Sequence, residues 1–275
     1  MQVLLTGGTS ETAPIATALL QQGYAVLVST ATDAPLDLPS AVRRRSGRLD
    51  AQGLQALFHE ENLRAVIDAC HPFATAAHEA IRAACLASGV PLVRFQRTIE
   101  AVEEGVEQVP DHASAIALCT ADGRPVFLTI GSRNLALYTL ALRAAQRPFV
   151  ARVLDDPISR RICAELSLTD AEVIFGRGPF DLEANLQVLK THRSGVLVSK
   201  HTGKAGGFPA KVQAARLCGC RVVAIACPED GSEDAFPDAA GICARLTALG
   251  LGTSRDQCSS APWRAIRSKS QDSGH

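Results

Sequence analysis

The residues with chemical capacity fall in short polar stretches, each following an apolar run. The first is Val3-Leu-Leu-Thr-Gly-Gly-Thr-Ser-Glu-Thr-Ala13. Gly7 and Gly8 would let the backbone approach a pyrophosphate, and the helix that follows would offer free N–H groups. Pro14 suits the first turn of that helix, where a missing N–H does no harm. Ser10 and Ala13 stand where a dinucleotide fingerprint carries its later glycines, and Glu11 brings a carboxylate beside the phosphate position. Two readings follow: a cofactor site using Gly7, Gly8, Thr9, Ser10 and Glu11, or a tight turn without a ligand. A carboxylate aimed at a pyrophosphate would repel it, so Glu11 is expected to accept from a hydroxyl or to cap the helix.

The next apolar run ends in Ser29-Thr-Ala-Thr-Asp33. Asp33 at a ribose 2′-hydroxyl would favour NADH, but it lies several residues past the strand. Ser29 and Thr30 are nearer and can hydrogen-bond a 2′-phosphate, with Arg43, Arg44 and Arg45 in support. NADPH is therefore the expected cofactor and NADH the alternative. A basic strand edge is the plainer reading of the three arginines.

Cys70-His-Pro-Phe73, Thr129-Ile-Gly-Ser-Arg133, Arg177-Gly-Pro-Phe180 and Ser199-Lys-His-Thr-Gly-Lys204 complete the set. His71 is either an ordinary residue entering a helix or a neutral imidazole at a ligand cleft, its pKa depressed by the helix N-terminus. Arg94, Arg133, Arg152, Arg177, Lys200, Lys204 and Lys211 are each explicable as surface charge. Together they suit a ligand with several carboxylates, which arginine grips bidentately. Phe73 and Phe180 would pack on a flat ligand or on local core.

These stretches need a scaffold that brings them to one edge. Strand-like runs lie at Val3–Leu5, Ala25–Ser29, Ala65–Ala69, Pro91–Phe95, Val126–Ile130, Phe149–Val153, Val173–Phe175, Val196–Ser199 and Val222–Ala226, with a weaker one at Ala41–Arg45. Helical patterns alternate with them, among them Gln52–His59, Ala74–Ala87, Leu135–Ala145 and Leu182–Thr191. Such alternation gives an α/β chain of two Rossmann-like, doubly wound parallel-sheet domains with a cleft between them. The polar stretches then become strand-to-helix loops at the carboxyl ends of the strands, where ligands of open sheets collect. The Gly/Pro break at Ala121–Pro125 sets the expected division: 1–122 as a dinucleotide-binding-like domain and 123–252 as a second one, with 253–275 a polar, disordered tail.

Composition narrows the partners. The 275 residues are 47% hydrophobic with 28 basic and 28 acidic side chains. A neutral chain does not gather nucleic acid by a global field. No apolar run of about 18 residues predicts a membrane span. The strand starting at once leaves no room for a signal peptide, and the nine cysteines read as reduced, buried thiols of a cytoplasmic protein. Cys218-Gly-Cys220 with Cys227 lacks the paired spacing of zinc ligands, so no metal site is assigned.

Taken in order, seven pieces resemble the precorrin-6A reductase family of cobalamin biosynthesis: Gly7-Gly-Thr-Ser-Glu11, Ile67-Asp-Ala-Cys-His-Pro-Phe-Ala74, Pro91-Leu-Val-Arg94, Thr129-Ile-Gly131, Arg177-Gly-Pro-Phe180, Ser199-Lys-His-Thr-Gly203, and Lys211 with Ala214-Ala215. The resemblance implies reduction of one carbon–carbon double bond in a tetrapyrrole macrocycle, precorrin-6A to precorrin-6B, by a nicotinamide cofactor. It also implies a substrate with many carboxylate arms, which the basic set would hold, and neighbouring pathway enzymes as partners. His71 is then the first candidate to donate or relay the proton and Lys200 the second. Two features depart from the family: Thr98-Ile-Glu-Ala-Val-Glu-Glu104, shortly after the Arg94 strand, has no tryptophan, and Cys227-Pro228 stands where Arg-Pro is common. A short-chain dehydrogenase acting on nucleotide sugars would share the glycine turn, but neither Tyr24 nor Tyr138 has a lysine four residues on. A non-catalytic corrinoid- or nucleotide-binding protein, and a methyltransferase using S-adenosylmethionine, complete the alternatives.

Overall fold

The computed structural model describes residues 1–97, 103–227 and 234–252. Thr98–Glu104 therefore lies mostly outside the described residues, as do Pro228 and the expected tail at 253–275.

Among the described residues, twelve strands form two parallel six-stranded sheets. The first holds β1 (Gln2–Gly7), β2 (Ala25–Thr30), β3 (Arg43–Ser46), β4 (Val66–Asp68), β5 (Leu92–Phe95) and β12 (Ala235–Phe236), in the order β12-β5-β4-β1-β2-β3. The second holds β6 (Val106–Val109), β7 (Val126–Thr129), β8 (Phe149–Val153), β9 (Val173–Phe175), β10 (Val196–Lys200) and β11 (Arg221–Ile225), in the order β6-β11-β10-β7-β8-β9. Central strands such as β1, β7 and β10 are buried along nearly their whole length. Both faces of a parallel sheet are covered by helices, which is why these strands read as continuous Val/Leu/Ile runs.

Sheet membership corrects the expected division at 122/123. The chain crosses to the second sheet earlier, between β5 and β6, so the helix α4 (His112–Asp122) packs Ala115 and Cys119 into the second core. The chain returns at the end: β12 pairs with β5, and the last helix, α9 (Ala239–Leu246), puts Ile242 and Leu246 into the first core. The break at Ala121–Pro125 separates α4 from β7, both of which serve the second sheet.

The remaining helices are α1 (Thr12–Gln21), α2 (Ala51–Glu60), α3 (Thr75–Ser88), α5 (Leu135–Ala144), α6 (Pro157–Glu165), α7 (Leu182–Thr191) and α8 (Phe208–Leu217). Five helices start on an aspartate whose carboxylate accepts an amide three residues on: Asp50, Asp111, Asp156, Asp181 and Asp238 cap α2, α4, α6, α7 and α9. The other four, α1, α3, α5 and α8, have no side-chain cap. Those four follow β1, β4, β7 and β10, the central pair of strands in each sheet.

Candidate active site

In each sheet the strand order reverses between the two central strands, and ligands of open α/β sheets gather at such reversals. The starts of α1, α3, α5 and α8 at those two crevices carry no side-chain cap, unlike those of the other described α-helices.

The first crevice is built on the glycine turn. Thr12 Oγ1 accepts from the amides of Gly8 (2.9 Å) and Thr9 (3.2 Å), which pulls the turn tight. A Cβ on Gly7 would stand 2.4 Å from Thr12 Oγ1, and Gly8 has φ +124°, so both glycines are required by the backbone. The turn, Ser29, Thr30, Arg44, Arg48 and His71 line a cavity of about 350 Å³, and Arg133 reaches it from the second half. Arg44 donates to Thr30 Oγ1 (3.1 Å) and to the carbonyls of Thr32 (2.9 Å) and Ala34 (2.8 Å). Arg45 donates to Ser29 Oγ (2.8 Å). Arg43 turns away to an exposed pair with Glu61. Asp33 is exposed and does not line the cavity.

Glu11 does not cap the helix. Its carboxylate forms a two-point ion pair with Arg97, Nε to Oε1 at 2.5 Å and Nη2 to Oε2 at 2.7 Å, and accepts the Ser10 hydroxyl at 3.0 Å. Burial works to raise its pKa, but hydrogen bonding from Thr9 and the Arg97 charge hold it below the ordinary carboxylate value. The acid is thus neutralised by a cation from the end of β5 and leaves the helix start open to a phosphate.

His71 follows β4. Its Nδ1 accepts the Phe73 amide at 3.2 Å, so the neutral ring carries its proton on Nε2. Burial, then the charges of Lys200 and Arg97, push its pKa down to about 4. Beneath the loop lies a pair that sequence reasoning missed. Asp68 Oδ2 is 2.6 Å from His78 Nδ1, and His78 Nε2 is 3.1 Å from the His71 carbonyl. A carboxylate and a carbonyl only accept, so His78 donates from both nitrogens and the two side chains form a buried ion pair, 2% and 5% exposed. Asp68 Oδ1 also accepts from the Cys70 amide at 3.0 Å. The available signal was an acid ending a buried strand and a histidine in the first turns of the helix after it.

The second crevice supplies Lys200, at the end of β10. Its ammonium stands 5.0 Å from the Phe73 ring, and Phe73 packs against the core of the second sheet. Burial, then the Arg133 charge, lower the Lys200 pKa to about 8. His112 is pushed down to about 4 by burial and then by Lys200; its ring is held by Asn134 (2.8 Å) and the Tyr138 hydroxyl (3.1 Å). His71, Arg133 and the glycine turn therefore line one cleft, and Lys200 stands beside it, near enough for its charge to act on His71 and for that of Arg133 to act on it.

The rest of the basic set is dispersed. Arg94 is 7% exposed on β5 and feels the charge of Asp68. Arg177 is exposed near Asp155, an acid whose pKa is lowered chiefly by its hydrogen bond from Arg160, with a lesser contribution from the Arg177 charge. Lys204 is exposed in a 3₁₀ turn at Lys204–Gly206. Arg152 is buried in the second half under Phe180, and the half-buried Lys211 is near enough to feel its charge. These residues stand in strands, loops and first helix turns, but side-chain direction was not legible from chain position alone.

The family described as "Precorrin-6x reductase CbiJ/CobK" matches residues 2–247. The chain belongs to the precorrin-6x reductase family. It is 33% identical over 249 residues to "Precorrin-6A reductase" of Rhodobacter capsulatus, covering 89% of this chain and 92% of that one. It is 32% identical to "Cobalt-precorrin-6A reductase" of Methanothermobacter thermautotrophicus, covering 83% and 77%. A solved structure titled "CobK precorrin-6A reductase" superposes with a TM-score of 0.74 at 29% identity, over 91% of this chain and 98% of that one. This family member is an oxidoreductase on an α/β scaffold of two parallel sheets. Among its described residues no helix is long and apolar enough to cross a membrane, and no group of three His, Cys, Asp or Glu is placed to hold a metal ion.

Proposed function

We propose that the chain catalyses the NADPH-dependent reduction of one carbon–carbon double bond in precorrin-6A, giving precorrin-6B. One observation carries this reading: the glycine turn, the arginine-backed Ser29–Thr30 corner, His71 and Arg133 line a single cleft, and Lys200 stands close enough to Arg133 to feel its charge. The Gly7–Gly8 turn and the open start of α1 would hold a pyrophosphate. Thr30 with Arg44, Ser29 with Arg45, and Arg48 would hold a 2′-phosphate, which selects NADPH over NADH. When bound, the nicotinamide supplies the hydride.

The chain's own residues orient the macrocycle and deliver a proton. Arg133 lines the cleft and Lys200 stands beside it, and the two would grip carboxylate arms. The proton is assigned to Lys200 Nζ. With a pKa of about 8 it is an ammonium at neutral pH, yet close enough to that range to give its proton up. His71, at about 4, is neutral there, and its Nε2–H serves as a hydrogen-bond donor. This reverses the order expected from sequence, where His71 came first. Tyr24 and Tyr138 are buried, which counts against short-chain-dehydrogenase chemistry. The eight described cysteines are free thiols, in keeping with work in a reducing cytoplasm.

Anaerobic mixing of enzyme, NADPH and precorrin-6A tests the reaction. One NADPH oxidised per macrocycle is expected, with NADH much weaker. Binding of both molecules without loss of the nicotinamide absorbance would make the chain a carrier, and affinity for S-adenosylmethionine in place of NADPH would make it a methyltransferase.

A further inference from the structure

The second sheet repeats the first. Both reverse strand order at the same place, and β7 with β10 stands for β1 with β4. Thr6 Oγ1 donates to the Ile67 carbonyl at 3.3 Å and Thr129 Oγ1 to the Val198 carbonyl at 3.2 Å. Gly8 and Gly131, each two residues on, both have positive φ. In the first sheet Thr6 pairs with Ser29, which Arg45 backs. In the second, Leu128 pairs with Ala151, so the next step sets Arg152 beside Thr129. The repeat therefore places a guanidinium where the first sheet has its phosphate corner.

Arg152 is 6% exposed. Its guanidinium lies 3.8 Å from the Phe180 ring centroid and 5.0 Å from that of Phe127, and Nη2 donates to Asn185 Oδ1 at 2.5 Å. Lys211, half-buried, donates to the Gly206 carbonyl at 3.0 Å and stands near enough to Arg152 to feel its charge. The partners of both cations are neutral. Asp181, beside Phe180, uses its carboxylate on the Ala184 amide at 2.9 Å. Against Gly206 packs Thr202, 7% exposed, whose buried hydroxyl has no hydrogen-bond partner among the described residues. A buried guanidinium with a half-buried ammonium near it is costly unless a counter-charge arrives; ring faces and carbonyls replace hydration but bring no negative charge. The electrostatics agree: burial lowers Arg152 to about 10, and burial followed by the Arg152 charge lowers Lys211 to about 8.

We propose that Arg152 and Lys211 form an oxyanion site in the second half of the molecule that receives one carboxylate arm of the macrocycle. The identity of the arm's owner rests on the reaction proposed above; the oxyanion chemistry does not. Free phosphate presents the same chemistry, and the test separates the two sources.

The test uses Arg152→Met and Lys211→Met, with Arg152→Lys as the charge-preserving control. Thermal melting is followed against inorganic phosphate, with NADP⁺ saturating so that the first-half phosphate corner is filled. Phosphate should raise the melting temperature of the wild type and of Arg152→Lys. The two methionine variants should melt close to or above the wild type without phosphate, because an unpaired buried charge has gone, and should ignore phosphate. Their KM for precorrin-6A should rise about ten- to a hundredfold with kcat little changed. A phosphate response with KM unchanged in the variants would assign the site to a free oxyanion and overturn the substrate arm. Indifference of the wild type to phosphate, with variants that melt lower and keep their KM, would overturn the site itself. A wild type that binds phosphate here but turns over no precorrin-6A would refute the reaction and uphold the oxyanion site.

Discussion

Arg44 offers a direct reading of cofactor choice. Its four hydrogen bonds, 2.8 to 3.2 Å long, all end on neutral acceptors: Thr30 Oγ1 twice, and the carbonyls of Thr32 and Ala34. A 2′-phosphate at this corner adds a charge-assisted bond of about 1.5–3 kcal/mol. At about 1.4 kcal/mol per tenfold, Arg44→Gln should weaken NADPH about ten- to a hundredfold. NADH has no phosphate here, and glutamine keeps part of the bonding to the loop, so NADH affinity should change by less than about threefold. Fluorescence titrations with both nucleotides, at low and physiological salt, give the selectivity ratio. Adding Arg48→Ala should lower it further. If NADPH and NADH weaken in step, Arg44 only braces the 30–34 loop and the phosphate assignment is wrong; if neither changes, the nucleotide lies elsewhere.

Lys200→Met should lower kcat by roughly 10²–10⁴ and abolish the fall in rate that the wild type shows as pH rises through about 8; a wild-type rate that climbs through that range would exclude an ammonium donor. His71 and His112 have folded pKa values near 4 against an ordinary 6.5, so the unfolded chain binds more protons between those limits. Their contribution to stability is complete above about pH 6.5 and is lost as pH falls toward 4. Melting should therefore be lower at pH 5 than at pH 7, with a smaller difference in His71→Gln; equal melting at the two values would contradict the burial assigned to these rings. Asp68→Asn breaks a buried ion pair and should cost about 3–5 kcal/mol by denaturant unfolding. Loss of under about 1 kcal/mol would show that His78 is not held as a cation by Asp68.

What the sequence revealed follows from physical scale. Buried strands paired on both sides announce themselves, and Phe149–Val153 was legible to the residue because parallel strands covered on both faces must be apolar. Val106-Glu-Gln-Val109 and Ala235–Phe236 were not, because short edge strands need few buried side chains. Missing them misplaced the division of the chain, since these two strands carry the crossings between sheets. The glycine turn, His71 and Lys200 stood out because loop chemistry is local. Asp68 with His78 did not, because the pair is defined by the packing of β4 against α3 and not by a motif. For the arginines, residue type and strand end were readable, but whether a side chain turns to the cleft, to an acid or into the core depends on its neighbours. Arg133, Arg43 and Arg152 took those three courses.

The central claim is that this cleft passes a hydride from a reduced nicotinamide to the macrocycle. A single anaerobic turnover with NADPH dideuterated at C4 measures that transfer at the atom concerned. The account predicts one deuterium retained on carbon in the reduced macrocycle for each NADPH oxidised. Oxidation of NADPH with no deuterium on the product, or a reduced product formed without loss of NADPH, would contradict it.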